Sequence, residues 1–159
     1  MSLGGGAEAA ASALGASAGA PAPGAAQGAG DLCRIELREE YDIVTARGIT
    51  REMCGALGFA AVEQVKVATI VSELARNIIA YAGRGSIELR AIREGRKGIE
   101  VKAVDNGPGI PDLDAIMEGA YNSRSGMGIG LVGTKRLMDE FEIDSVPGRG
   151  TTIIARKFA

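Results

Sequence analysis

Glu73 and Asn77 stand four residues apart in Ser72-Glu73-Leu74-Ala75-Arg76-Asn77-Ile78, a spacing that puts both side chains on one face of a helix. An Asn amide offers a neutral carbonyl oxygen. Mg²⁺ takes oxygen ligands, keeps several waters and bridges to phosphates, so one amide plus phosphate oxygens can hold it. A carboxylate one turn away can orient a nucleophile or accept its proton. The same pair would also serve as the polar edge of an ordinary amphipathic helix, and spacing alone does not separate the two.

A second group is Asp105-Asn106-Gly107-Pro108-Gly109, directly after a run of strand character. Asp, Asn, Gly and Pro are common turn formers, and a plain turn accounts for them. A carboxylate at the end of a strand can also accept the amino hydrogens of adenine. Gly107 and Gly109 would then let the backbone approach a flat base.

The third group runs from Ser125 to Lys135 and contains Gly126, Gly128, Gly130 and Gly133. Its G-x-G-x-x-G spelling would mean dinucleotide binding only after a strand, and Tyr121-Asn122-Ser123-Arg124-Ser125 has no strand pattern. Its Gly-Thr-Lys ending departs from the Gly-Lys-Thr of a phosphate-binding P-loop. What remains is either a mobile surface loop or a glycine-rich loop feeding a helix N-terminus, where free N–H groups favour phosphate. Gly148-Arg149-Gly150-Thr151-Thr152 reads as a hairpin.

The elements that must carry these groups follow from periodicity. Cys33–Arg38 alternates as an opening strand, and residues 42–57 repeat at helical spacing up to Gly58. Ala60–Ala82 is the strongest helix, with Val62, Val65, Thr69, Ile70, Leu74, Ile78 and Tyr81 expected on its apolar side. Residues 86–92 and 98–104 form a hairpin around Arg93–Lys97. Pro111–Glu118 is a short helix with Pro in its first turn, Leu131–Phe141 a further helix, and 143–146 with 151–158 a closing strand pair. The set implies an α+β two-layer sandwich: a mostly antiparallel mixed sheet with helices on one face.

Composition narrows the chemistry. Histidine is absent, which excludes a Ser-His-Asp triad, a His-ligated zinc site and phosphorylation on histidine within this chain. Net charge is −2, so no electrostatic case for nucleic acid arises. Cys33 and Cys54 have no metal-type spacing and read as reduced structural thiols. Residues 1–30 are almost all Ala, Gly, Ser and Pro, with few large apolar groups to bury, and are expected to be a disordered tail. The domain is then 31–159. Neither a secretory leader nor a membrane-length apolar stretch is expected, which suggests the cytoplasm.

An acid-x₃-Asn helix, an Asp-x-Gly-x-Gly turn, a glycine-rich lid before a helix and a late Gly-Thr strand occur in one order. That order resembles the Bergerat-fold ATPases, the superfamily of gyrase, chaperone, histidine kinase and MutL ATP-binding domains, across residues 31–159. Within it, Ser72–Ile78 and Gly126–Phe141 look like the corresponding segments of the RsbT-like switch serine/threonine kinases. The resemblance implies an ATP-binding fold with Mg²⁺ on Asn77, adenine on Asp105, and a pocket shaped by Gly107, Gly109, Gly126, Gly128 and Gly130. It implies support of the adenine site by Thr151 and Glu73 as the base. Arg124, Lys135 and Arg136 would add positive charge near the phosphates. Such kinases phosphorylate a Ser or Thr of a STAS-domain antagonist and engage a stress-pathway phosphatase. The competing expectation is an anti-sigma factor of the same fold. Against it, the lid and following helix, Gly126–Phe141, look like those of the switch kinases, although Tyr81 departs from the His that anti-sigma relatives often carry.

Overall fold

The computed structural model describes residues 31–119 and 127–159. The expected tail, Arg124 and Gly126 lie outside the described residues. Five strands, β1 (Leu32–Leu37), β2 (Gly85–Ile92), β3 (Gly98–Asp105), β4 (Glu140–Val146) and β5 (Gly150–Phe158), form one sheet in the order β1-β2-β3-β5-β4. Every neighbouring pair is antiparallel. The helices are α1 (Glu40–Ala56), α2 (Ala61–Asn77), α3 (Leu113–Met117) and α4 (Met127–Leu137). The helix pair α1–α2 joins β1 to β2, and α3 and α4 join β3 to the edge strand β4.

Alternation along the strands divides the sheet into a buried and an open face. Ile35, Leu37, Ile87, Leu89, Ile99, Val101, Ala103, Ile153 and Ala155 point inward and are buried. There they meet Ala46 and Cys54 of α1 and Val67, Ile70, Val71 and Leu74 of α2 in one core. Each such Ile, Leu or Val stabilises the fold by roughly 1.5–3 kcal/mol relative to leaving it in water. Burial also pushes the Cys54 thiol up to about 11, leaving it protonated and inert at neutral pH.

The open face carries a cross-strand lattice of charges. Arg34 reaches Glu36 at 2.7 Å and Glu88 at 2.8 Å. Arg156 bonds Glu100 at 2.7 Å, Glu140 at 2.8 Å and Glu142 at 3.1 Å. Hydrogen bonding to Glu140 and Glu100 raises the Arg156 pKa above its ordinary value. Arg156→Leu would leave three carboxylates facing one another across β3, β5 and β4. Chemical denaturation of this variant should show a loss of roughly 1 kcal/mol, because the pairs are partly solvated. The loss should shrink in 1 M salt.

Besides α3, which starts at Leu113 and leaves Pro111 ahead of its first turn, two helices differ from expectation. The α2 helix leads at Asn77 into a wider π turn, Ile78–Ala82, which Gly83 closes in the left-handed region at φ 78°. Val62 and Val65 remain exposed, at 65% and 45%. At about 100° per residue they lie opposite the buried Val67 and Val71, while Ile70, Leu74 and Ile78 of the expected stripe are buried as expected. The expected stripe mixed two sides of the helix, because valine is apolar wherever it stands.

The second difference is α4. It begins at Met127, so Gly128 and Gly130 are helical and not loop. It also ends at Leu137, and Phe141 belongs to β4. The chain leaves the helix because Asp139 joins the sheet. Its N–H donates to the Arg156 carbonyl at 2.9 Å, and its carboxylate accepts from the Phe158 N–H at 2.8 Å. Glycine's weak helix propensity costs about 1 kcal/mol per residue, an amount that packing can outweigh.

Candidate functional site

One end of the helix layer meets the ends of β3 and β5 around a small cavity, open to solvent on one side. Its apolar wall comes from Leu74, Ile78, Ala103, Ile110, Leu131 and Ile153. Its polar side chains are few: Asn77, Tyr81, Asp105 and Thr151. An apolar cleft with a small number of placed polar groups is the usual form of a small-molecule site.

Asn77 occupies the last turn of α2, at the border of its buried stripe. Its side-chain nitrogen is buried and has no hydrogen-bond partner among the described residues. A buried amide normally satisfies its donors, so an orphan on a cavity wall marks a place where a ligand can supply the acceptor. The amide oxygen and nitrogen exchange places by a flip, so the same side chain can turn its carbonyl to a cation. Glu73, one turn earlier, holds Arg76 in an ion pair. The helix α4 lies beside both. A side-chain carbon built on Gly130 would come within 3.6 Å of the Asn77 amide and of the Glu73 carboxylate. Thr134 locks this stretch by donating to the Gly130 carbonyl at 2.8 Å.

Asp105 is the last residue of β3. Its Oδ1 accepts the Gly107 N–H at 2.9 Å, which fixes the carboxylate, and Oδ2 has no hydrogen bond among the described residues. Gly107 packs against Ala82, where an added Cβ would fall 2.5 Å from the Ala82 Cβ. Gly109 has φ 75°, and an added Cβ would meet the Val146 carbonyl at 2.5 Å. Both positions therefore demand glycine. The turn is further tied down by the Gly148 N–H, which donates to the Pro108 carbonyl at 2.8 Å.

Asn77, Asp105, Gly109 and Thr151 thus share one cavity, while Glu73, Gly107 and Gly130 lie next to it. Lys135 and Arg136 are exposed on the last turn of α4 and do not line it. Gly128 contributes helical backbone. Arg124 and Gly126 fall outside the described residues. Sequence reasoning passed over Ser145, whose hydroxyl accepts the Ile110 N–H at 2.8 Å and lies 2.9 Å from the Thr151 hydroxyl. The available signal was a polar residue in phase with the inward-facing Phe141 and Ile143. The apolar wall also lay unmarked, because its members read as ordinary core.

An antiparallel sheet with helices on one face, and a cavity between a helix carrying Glu and Asn and a strand ending in Asp-x-Gly-x-Gly, define an α+β nucleotide-binding domain of the Bergerat type. The chain belongs to the Histidine kinase-like ATPase domain family, whose pattern matches residues 35–157. It is 46% identical over 125 residues to serine/threonine-protein kinase RsbT of Bacillus subtilis (strain 168), covering 78% of this chain and 94% of that protein. It is 31% identical over 121 residues to the anti-sigma F factor of Thermoanaerobacter sp. (strain X514), covering 71% and 82%. Among solved structures it resembles the histidine kinase domain of a blue-light activated kinase from Erythrobacter litoralis EL346. That likeness has a TM-score of 0.46 at 19% identity, and spans 72% of this chain and 59% of the other.

Proposed function

We propose that the chain is an ATP-dependent protein-serine/threonine kinase of a bacterial partner-switching pathway, acting in the cytoplasm on a STAS-domain antagonist and engaging a downstream phosphatase. The observation that carries the reading is the orphaned Asn77 amide on the wall of the cavity that also holds Asp105. Similarity to RsbT over 94% of its length supports the kinase over the anti-sigma factor. No described helix is long and apolar enough to cross a membrane.

In this reading the apolar walls hold adenine, with its amino group donating to the Asp105 carboxylate. Asn77 and phosphate oxygens suit Mg²⁺, which when bound would neutralise phosphate charge. Phosphoryl transfer depends mainly on positioning and charge stabilisation, so few catalytic side chains are required. Glu73 stands beside the metal residue and accepts the proton of the attacking Ser or Thr hydroxyl. It must leave Arg76 or share it to do so, and both side chains are exposed enough to rearrange at small cost. The tail, residues 1–30, is dispensable for this chemistry in the proposed reading.

Titration calorimetry with ATP, with and without Mg²⁺, tests the reading. The parental chain should bind in a Mg²⁺-dependent manner. Asp105→Asn replaces an acceptor-only carboxylate with a group that also donates. It should weaken ATP by roughly 10- to 100-fold, the scale of a charged hydrogen bond. Unchanged affinity in this variant would remove Asp105 from the adenine site.

A further inference from the structure

Behind Thr151, whose place in the adenine site the resemblance implies, stands a second hydroxyl, Ser145, with no part in the proposed chemistry. Asp105 pairs with Thr151 in the β3–β5 register, and Thr151 pairs with Ser145 in the β4–β5 register. The three residues therefore form one row across three strands, at the cavity end of the sheet. Thr151 lines the cavity and is 8% exposed. Ser145 stands behind it, away from the cavity lining.

The hydrogen atoms in this row can be counted. A Ser hydroxyl has one proton and two lone pairs. The Ile110 N–H, at 2.8 Å, takes one lone pair of Ser145. The Ser145 proton has two acceptors in reach: the Thr151 hydroxyl at 2.9 Å and the Gly150 carbonyl at 3.5 Å. The shorter contact is a full hydrogen bond, and the longer lies at the limit of one. With the Ser145 proton on Thr151, the Thr151 hydroxyl is left with its own proton to give. The cavity then presents an acceptor at Asp105 and a donor at Thr151, side by side. Adenine offers the complement on one edge, an amino donor next to the ring N1 acceptor. Guanine offers the reverse.

We infer that Ser145 is a positioning residue for base recognition: it supplies the proton that turns the Thr151 hydroxyl into a donor toward the ring nitrogen of the base. The inference rests on the adenine reading of the cavity. Ser145 also ties the turn after β3 to β4 through Ile110, so a purely structural role must be separated from the proton-directing one.

The separating probe is 1-deaza-ATP, in which the ring N1 is replaced by CH and cannot accept a hydrogen bond. Dissociation constants for ATP and 1-deaza-ATP are measured by calorimetry on the full chain. The parental protein should bind the deaza nucleotide about tenfold more weakly, the scale of one net hydrogen bond. In Ser145→Ala, Thr151 has lost its fixed donor direction. ATP should weaken about fivefold or more, and the gap between the two nucleotides should close to about twofold or less. Ser145→Thr keeps the hydroxyl and should restore the gap. If Ser145→Ala does not fold, Ser145→Cys carries the test, because a thiol is a weak donor and the gap should again narrow. A gap that stays tenfold in the Ala or Cys variant, with both nucleotides weakened equally, would overturn the inference and leave Ser145 a loop tether. Absence of adenine-nucleotide binding in the parental chain would instead overturn the functional reading itself, and this inference with it.

Discussion

Asn77→Ala should lower phosphoryl transfer by about 10²-fold or more, since even residues one shell away from a metal cost 10- to 100-fold when removed. The expectation comes from the position of one buried amide. Its nitrogen has no partner among the described residues, and it lines the cavity next to Ile78 and Leu74. Removing it takes away an oxygen donor for Mg²⁺ and leaves the outer surface almost unaltered. In the proposed reading a protein partner rests on that outer surface, so docking and transfer should come apart. The check is a pull-down of the partner with single-turnover transfer measured on the same samples. Capture should persist while transfer falls. Stability should be kept or slightly improved, because the variant also deletes a buried group without a hydrogen bond. Parental transfer rates in Asn77→Ala would show that the amide plays no part in holding the phosphates.

Glu73→Gln should keep nucleotide affinity and lower transfer by about 10²-fold or more, the usual scale for a lost general base. The change preserves shape and removes proton-accepting power. Glu73 sits one turn from Asn77, beside Gly130 of α4, where the proposed reading brings the substrate hydroxyl. The variant also breaks the ion pair with Arg76. That pair is exposed, and its loss should move stability by less than about 1 kcal/mol. Arg76→Ala is therefore the control: it breaks the same pair and leaves the carboxylate. If Arg76→Ala loses as much transfer as Glu73→Gln, the ion pair matters and the base does not. If neither loses transfer, Glu73 is a polar edge residue of α2.

The parts of the fold readable from residues alone were those with one strong local cause. The strands showed themselves because inward and outward residues alternate, as in Ile99, Val101 and Ala103 against Glu100 and Lys102. The Asp105–Gly109 turn showed itself because both its glycines answer a backbone demand. Features with two competing causes were harder. The glycines at 128 and 130 argue for a loop by propensity, yet packing of α4 beside Glu73 and Asn77 makes them helical. Val62 and Val65 argue for a buried face by hydrophobicity, yet they lie on the far side of α2. The π turn after Asn77 has no sequence period of its own. Ser145 was hidden for another reason. Its importance lies in what it touches across β5 and the β3 turn, and such contacts exist only once the strands are in register.

Incubating the protein with Mg-ATP and a panel of STAS-domain proteins and sigma factors, then reading intact masses and captured partners, tests the account most directly. The account predicts one added phosphate on a Ser or Thr of a STAS-domain partner, dependent on Asn77 and Glu73. Stable capture of a sigma factor, with no phosphate on any STAS-domain protein, would contradict it and assign the chain to the sequestering branch of its family.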